Sequence, residues 1–110
     1  MKPSEPLITA WHQYLKTKTE ATVARMKSIG MFKCSANDVE LYNRANALAQ
    51  KAIKLDRHAD IEFRKALKKE YSKRFRIEWK DGHTCQVYVH ERFSKVETVL
   101  NFNKSLRVVK

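Results

Sequence analysis

The sequence predicts an α+β fold: an N-terminal antiparallel helical hairpin with one long helix, packed on a small C-terminal antiparallel sheet. Three observations lead there. From Ser35 to Lys73 the chain runs without glycine or proline while apolar residues recur at helical spacing. After Tyr71 the apolar period changes from 3.6 to 2. Finally, 110 residues with only two glycines suit one helix-rich domain better than a sandwich or two separate cores.

Pro3 and Pro6 mark a short arm that ends where a helix can begin, since proline is tolerated in a first turn. The first helix is expected from Leu7 to about Ile29, with Ile8, Trp11, Leu15, Thr22, Met26 and Ile29 at intervals of three and four. Gly30 is placed to stop it in a left-handed conformation. Met31-Phe32-Lys33-Cys34 then reads as a short apolar connector tucked against the core.

The second helix is expected over about 37–73. Ser35 and Asn37 can both cap it, and Asn37 with Glu40 has capping-box spacing, Asp38 adding charge at the positive end of the dipole. Leu41, Ala45, Leu48, Ala52, Leu55, Ala59, Phe63, Ala66 and Tyr71 fall in one sector, and their small members let a neighbouring helix approach closely. Unbroken, such a helix is about 54 Å long, against about 35 Å for a compact domain of this size. Either it breaks near Asp56-Arg57-His58, or it projects and pairs with a second copy through its Leu/Ala stripe as a homodimer.

Phe75, Ile77 and Trp79 alternate with charged residues before Asp81-Gly82, and Cys85, Val87 and Val89 alternate after it, which is a β-hairpin pattern over about 74–90. A three-residue loop Lys80-Asp81-Gly82, with Gly82 left-handed in a bulge, would pair Trp79 with His83, Ile77 with Cys85 and Phe75 with Val87. Arg74, Arg76, Gln86 and Tyr88 then share the other face. In the last element, 94–110, Ser94 and Glu97 have capping-box spacing, and Val96, Val99, Leu100 and Leu106 suit a short helix from 94 to about 103. The valine and threonine content suits a strand as well, and Leu106-Arg107-Val108-Val109 is expected to close beside the hairpin.

The formal charge of +11 gives affinity for polyanions. It is concentrated: between Arg64 and Lys80 there are eight basic residues and two acidic ones. Lys65, Lys68, Lys69 and Lys73, continued by Arg74 and Arg76 with Tyr88 and His90, supply long cations for phosphates and planes on which unpaired bases stack. These eight residues are the candidate site. The function expected is non-enzymatic binding to RNA, single-stranded DNA or a nucleoprotein complex; the alternative partner is an acidic protein surface, on which a phage or mobile-element inhibitor or adaptor would dock. A third reading is a metal-independent ribonuclease with His90 as general base and Arg74 or Arg76 stabilising the pentavalent phosphate.

Other chemistries lack their residues. Cys34 and Cys85 have neither metal-ligand nor redox spacing, and the four histidines show no zinc pairing at i, i+4, so no cofactor and no metal is expected. There is no glycine-rich phosphate loop or Gly-x-Ser-x-Gly elbow. The N-terminus lacks the apolar run of a secretory signal, and no window approaches the ~20 apolar residues of a membrane span. The expectation is a cytoplasmic protein with no membrane partner.

Overall fold

A computed structural model describes residues 2–91 and 96–107. Two helices pack against each other and accompany a three-stranded antiparallel sheet in an α+β arrangement. The helices are α1, Glu5–Lys33, and α2, Val39–Tyr71; the strands are β1, Phe75–Asp81, β2, Thr84–His90, and β3, Glu97–Phe102, in sheet order β1-β2-β3. Contacts divide the chain into two compact units, residues 16–61 and residues 1–15 with 62–110.

The unit of residues 16–61 is the hairpin formed by the facing stretches of α1 and α2. Its buried positions repeat every three, four or seven residues: Thr17, Ala21, Ala24 and Ser28 on α1, and Ala45, Ala52 and Ala59 on α2. That is the heptad spacing of a coiled-coil seam. Because the seam is built of small residues the backbones come close, and the buried Ser28 hydroxyl donates a 2.7 Å hydrogen bond to the Ala45 carbonyl. Lys18 and Arg25 both pair with Asp56 along one flank.

This arrangement corrects the expected first-helix stripe. Thr22, Met26 and Ile29 are exposed, Met26 by 68%, because the large residues of that half face outward while alanines and serine fill the seam. Gly30 does not stop α1. It carries no positive φ, and the helix continues to Lys33. There the Ser35 amide and hydroxyl both bond the Phe32 carbonyl. Of the expected connector, Met31 is half-buried while Phe32, Lys33 and Cys34 are exposed rather than tucked in, with Phe32 set edge-on to Tyr42 at 5.3 Å. The cap of α2 is Asp38, whose carboxylate accepts from the Leu41 amide at 3.0 Å, one residue later than the expected Asn37.

α2 is unbroken through Asp56-Arg57-His58. Its Leu/Ala stripe is the seam itself, with Ala45 and Ala52 buried and Leu48 and Leu55 half-buried, so it is not the free surface that pairing with a second copy through it would need. No described helix is long and apolar enough to cross a membrane.

In the other unit, Trp11 is fully buried among four rings. Tyr14 stacks on it at 5.1 Å, while Phe63, Phe102 and Trp79 lie 5.3, 5.5 and 6.3 Å away. Its indole N–H donates to the Asn103 carbonyl at 2.9 Å, and His12 Nε2 lies 2.6 Å from the Leu106 carbonyl oxygen, which as a pure acceptor requires that nitrogen to carry the proton. The segment after β3 is thereby strapped to the start of α1. Ser4 donates to Glu70, joining that start to the last turn of α2.

The hairpin register differs from the expected one by two residues. Phe75 pairs with Val89, Ile77 with Val87 and Trp79 with Cys85, and a bulge between Trp79 and Asp81 brings Asp81 opposite Thr84. Because the shift is even, the apolar residues still share one face. The turn is Gly82-His83, closed by the His83 amide donating to Asp81 Oδ1 at 2.7 Å, and Gly82 is not left-handed. Among the described residues the positive φ belongs to Ser72, at 55°, where α2 ends.

Residues 97–102 form β3, not a helix. Thr98, Leu100 and Phe102 turn inward and Glu97, Val99 and Asn101 outward, and the free edge of β2 is satisfied by pairings from Cys85–Phe102 to His90–Glu97. Leu106 and Arg107 are outside any strand, and the expected cap Ser94 and the expected strand residues Val108 and Val109 lie outside the described residues.

Two stability outcomes are expected from denaturant titrations. Ser72→Gly removes the left-handed strain and stabilises by about 0.5–1 kcal/mol, whereas Gly82→Ala is close to neutral, because an added Cβ meets nothing within 4 Å. Ala45→Leu overfills the helical seam and costs about 1–3 kcal/mol, while Ala47→Leu on the exposed side stays within about 0.5 kcal/mol of wild type.

Candidate functional site

The eight candidate residues all belong to the unit of residues 1–15 and 62–110, but they occupy two surfaces. The last turns of α2 bury Phe63 and Leu67, and Phe63 meets Trp79 and Phe102 on the inner face of the sheet. Lys65, Lys68 and Lys69 are exposed on the side of the helix turned from that face. Lys65 reaches Glu62 at 3.3 Å; Lys68, Lys69 and Lys73 have no ion-pair partner among the described residues.

Arg76, Tyr88 and His90 lie on the outer face of the sheet, across it from the helix. Lys73 and Arg74, in the turn between α2 and β1, join the two surfaces. Arg74 is tied to the end of β2, where its carbonyl accepts from the His90 amide at 2.8 Å and its guanidinium lies 3.5 Å from the His90 carbonyl.

On the outer face the cations are matched by carboxylates. Arg76 lies over the Tyr88 ring, 4.0 Å from its centroid, and reaches Glu97 at 3.5 Å and Glu78 at 3.9 Å. His90 Nε2 is 3.0 Å from the other Glu97 oxygen. Glu78 also accepts from Lys80 at 3.1 Å, and the Lys80 ammonium, with smaller help from Arg76, holds its carboxyl below the usual range. The Tyr88 hydroxyl donates to Gln86, whose amide donates in turn to Asn101. Glu97 and Glu78 are the members of this face that sequence reasoning misses. Spacing alone gives Glu97 to a helix cap, and only a strand at 97–102 sets it opposite His90.

Chemically, the outer face offers a guanidinium stacked on a phenol ring and steered by two carboxylates, while the end of α2 and the turn after it offer Lys68, Lys69 and Lys73, ammonium groups with no ion-pair partner among the described residues. Neither resembles a nucleophile with its base. Among the described residues no three His, Cys, Asp or Glu side chains converge as a metal site. Cys85 is enclosed beneath the sheet, and burial pushes its thiol up to about 12; Cys34 is exposed.

Comparison with known proteins finds no match: no family model, no curated protein and no solved structure resembles this chain.

Alkylation at neutral pH should therefore label Cys34 in the native protein and Cys85 only on unfolding. The buried neutral thiol also links stability to pH. Its contribution is fully present below the ordinary thiol value of 9.0 and is lost as pH rises towards about 12, because the unfolded chain ionises first. Denaturant midpoints should fall over that window, less steeply in Cys85→Ala.

Proposed function

We propose that the protein is a non-enzymatic nucleic-acid-binding protein that engages flexible RNA or single-stranded DNA. The lysine row supplies the phosphate contacts, and the Arg76–Tyr88 pair, on the outer face of the sheet beyond the 72–74 turn, supplies a stacking plane. The observation that carries this reading is the difference in pairing between the two surfaces. The carboxylates near the sheet are used on Arg76, Lys80 and His90, while Lys68, Lys69 and Lys73 keep their charge for a ligand. Exposed ion pairs contribute little to stability, so a run of cations left out of them has no evident role in folding. A polyanion would supply the missing countercharge and release the ions condensed on it.

Flexibility of the ligand matters because the two surfaces face different ways. A rigid duplex would meet the helix row alone, whereas a single strand could pass the 72–74 turn, setting phosphates on Lys69, Lys73 and Arg74 and a base on Arg76. Guanidinium planes stacked on aromatic rings are effective base-stacking surfaces. His90 remains hydrogen-bonded to Glu97 in this reading and takes no catalytic part.

Changing Lys65, Lys69 and Lys73 together to Gln should weaken binding regardless of sequence and make the log-affinity against log-salt slope shallower by about two to three. Tyr88→Ala should weaken single-strand binding by about 1–3 kcal/mol and leave the slope unchanged. Glu97→Gln, which releases Arg76 and His90, should tighten binding at low salt. Fluorescence titrations with labelled oligonucleotides read all three. Absence of any wild-type binding to single- or double-stranded nucleic acid at about 50 mM salt would remove this reading and leave the basic row to an acidic protein surface.

A further inference from the structure

α2 carries two uncharged stripes, and the seam with α1 uses one of them. About 90° further round the helix from Ala45 and Ala52, the residues Val39, Tyr42, Asn46, Ala49 and Ile53 repeat at intervals of three and four. Val39 is 75% exposed and Tyr42 53%, and Asn46 and Ile53 are exposed as well. Phe32 of α1 lies edge-on to Tyr42, and Ile29, one turn earlier, is exposed too, so both helices contribute to one face of the hairpin. The charged residues between Val39 and Ile53 are Glu40, Arg44 and Lys51, all on the far side of the helix, where Arg44 pairs with Glu40. Arg25, on the α1 side of this face, is paired with Asp56. The outer border of the stripe is formed by the neutral amides Asn43 and Gln50.

We propose that this face is the docking site for a second copy of the chain, the two hairpins meeting through antiparallel α2 helices about a two-fold axis at Asn46. The spacing is self-complementary about that point. Val39 falls opposite the partner's Ile53, seven residues to either side of the axis. Tyr42 falls against the partner's Ala49 and Gln50, its ring over the small residue and its hydroxyl on the side of the amide. At the centre Asn46 faces the partner's Asn46. A primary amide carries both a donor and an acceptor, so two of them related by a two-fold axis satisfy each other reciprocally. One polar asparagine within an otherwise apolar helical seam costs some stability and fixes the register of the pair. A foreign helix would have to present an apolar stripe with an amide at the same height, whereas a second copy supplies both by symmetry.

Charge points the same way. Two chains of +11 can approach closely only where unpaired cations are missing, and the stretch from Val39 to Ile53 on this face is such a place. Two stripes about 90° apart are also what a four-helix bundle asks of each inner helix. From the exposures of Val39, Tyr42, Ile53, Ile29 and Phe32, roughly 500 Å² would be covered per copy, so that a pair buries about 1,000 Å², the lower limit for a specific interface. The seam on α1 stays intact, and the pairing is independent of nucleic-acid binding.

Light scattering of the full chain should give twice the chain mass at micromolar concentration. Asn46→Lys, which sets two ammonium groups against each other on the axis, should give a monomer with an unchanged circular dichroism spectrum, because Asn46 is exposed within its own chain. In a Cys34→Ser background, Asn46→Cys should form a disulfide-linked dimer on mild oxidation, and Lys54→Cys, outside the stripe, should not. A wild-type monomer at every concentration up to about 100 µM would overturn the proposal. So would a dimer that survives Asn46→Lys or that fails to cross-link through Asn46→Cys.

Discussion

One buried indole carries much of the unit formed by residues 1–15 and 62–110. Trp11 contacts rings from the end of α2, from β1 and from β3, segments far apart in sequence, and its N–H holds the carbonyl of Asn103 just after the last strand. Aromatic pairs add about 0.5–1.5 kcal/mol beyond the area they bury, so such a cluster is worth more than an aliphatic one of equal size. It also explains how so short a sheet is stable. A three-stranded ribbon needs an apolar face pressed against something, and here Val87, Leu100 and Phe102 form that face while Trp11 and Phe63 belong to what they press on.

The large-scale organisation is legible in the sequence because it depends on periodicity, and periodicity survives local error. The length of α2, the change to period two after Tyr71 and the parity of the hairpin all follow from it. The two-residue difference in register arises at one place. Gly82 suggests a left-handed bulge, while the turn is instead organised by the Asp81 side chain accepting from the His83 amide, an arrangement that asks nothing unusual of glycine. β3 is ambiguous in sequence because a capping-box pattern and β-branched residues coincide at 94–99, and local signals cannot weigh the unpaired edge of β2 that decides between them.

The first helix misleads for a different reason. Side-chain size is ordinarily a sign of burial, but in a close-packed helical seam the sign reverses. Backbones near enough for the Ser28 hydroxyl to reach the Ala45 carbonyl leave room only for small side chains between them, so Met26 and Ile29 must face outward. The signal that exposes this is the seven-residue recurrence of Ala45, Ala52 and Ala59, answered by Ala21 and Ser28 on the other arm. The candidate site suffers a similar loss. Its cations are visible as residues, but Glu97, which pairs with Arg76 and His90, becomes their neighbour only once β3 is a strand.

That matching bears on what the surplus charge is for. Among the described residues, many of the carboxylates have a local task. Asp38 caps a helix, Asp81 closes a turn, Asp56 bridges Lys18 and Arg25, Glu70 accepts from Ser4, and Glu78 and Glu97 hold the cations of the sheet. Self-repulsion of the remaining cations costs stability, most of all at low ionic strength, and no described ion pair relieves it at Lys68, Lys69 or Lys73. In the reading proposed, a polyanion outside the molecule supplies the countercharge that these lysines lack. Under the two proposals the lysine row meets a partner of opposite charge, and the uncharged stripe of α2 meets one whose charge is the same as its own.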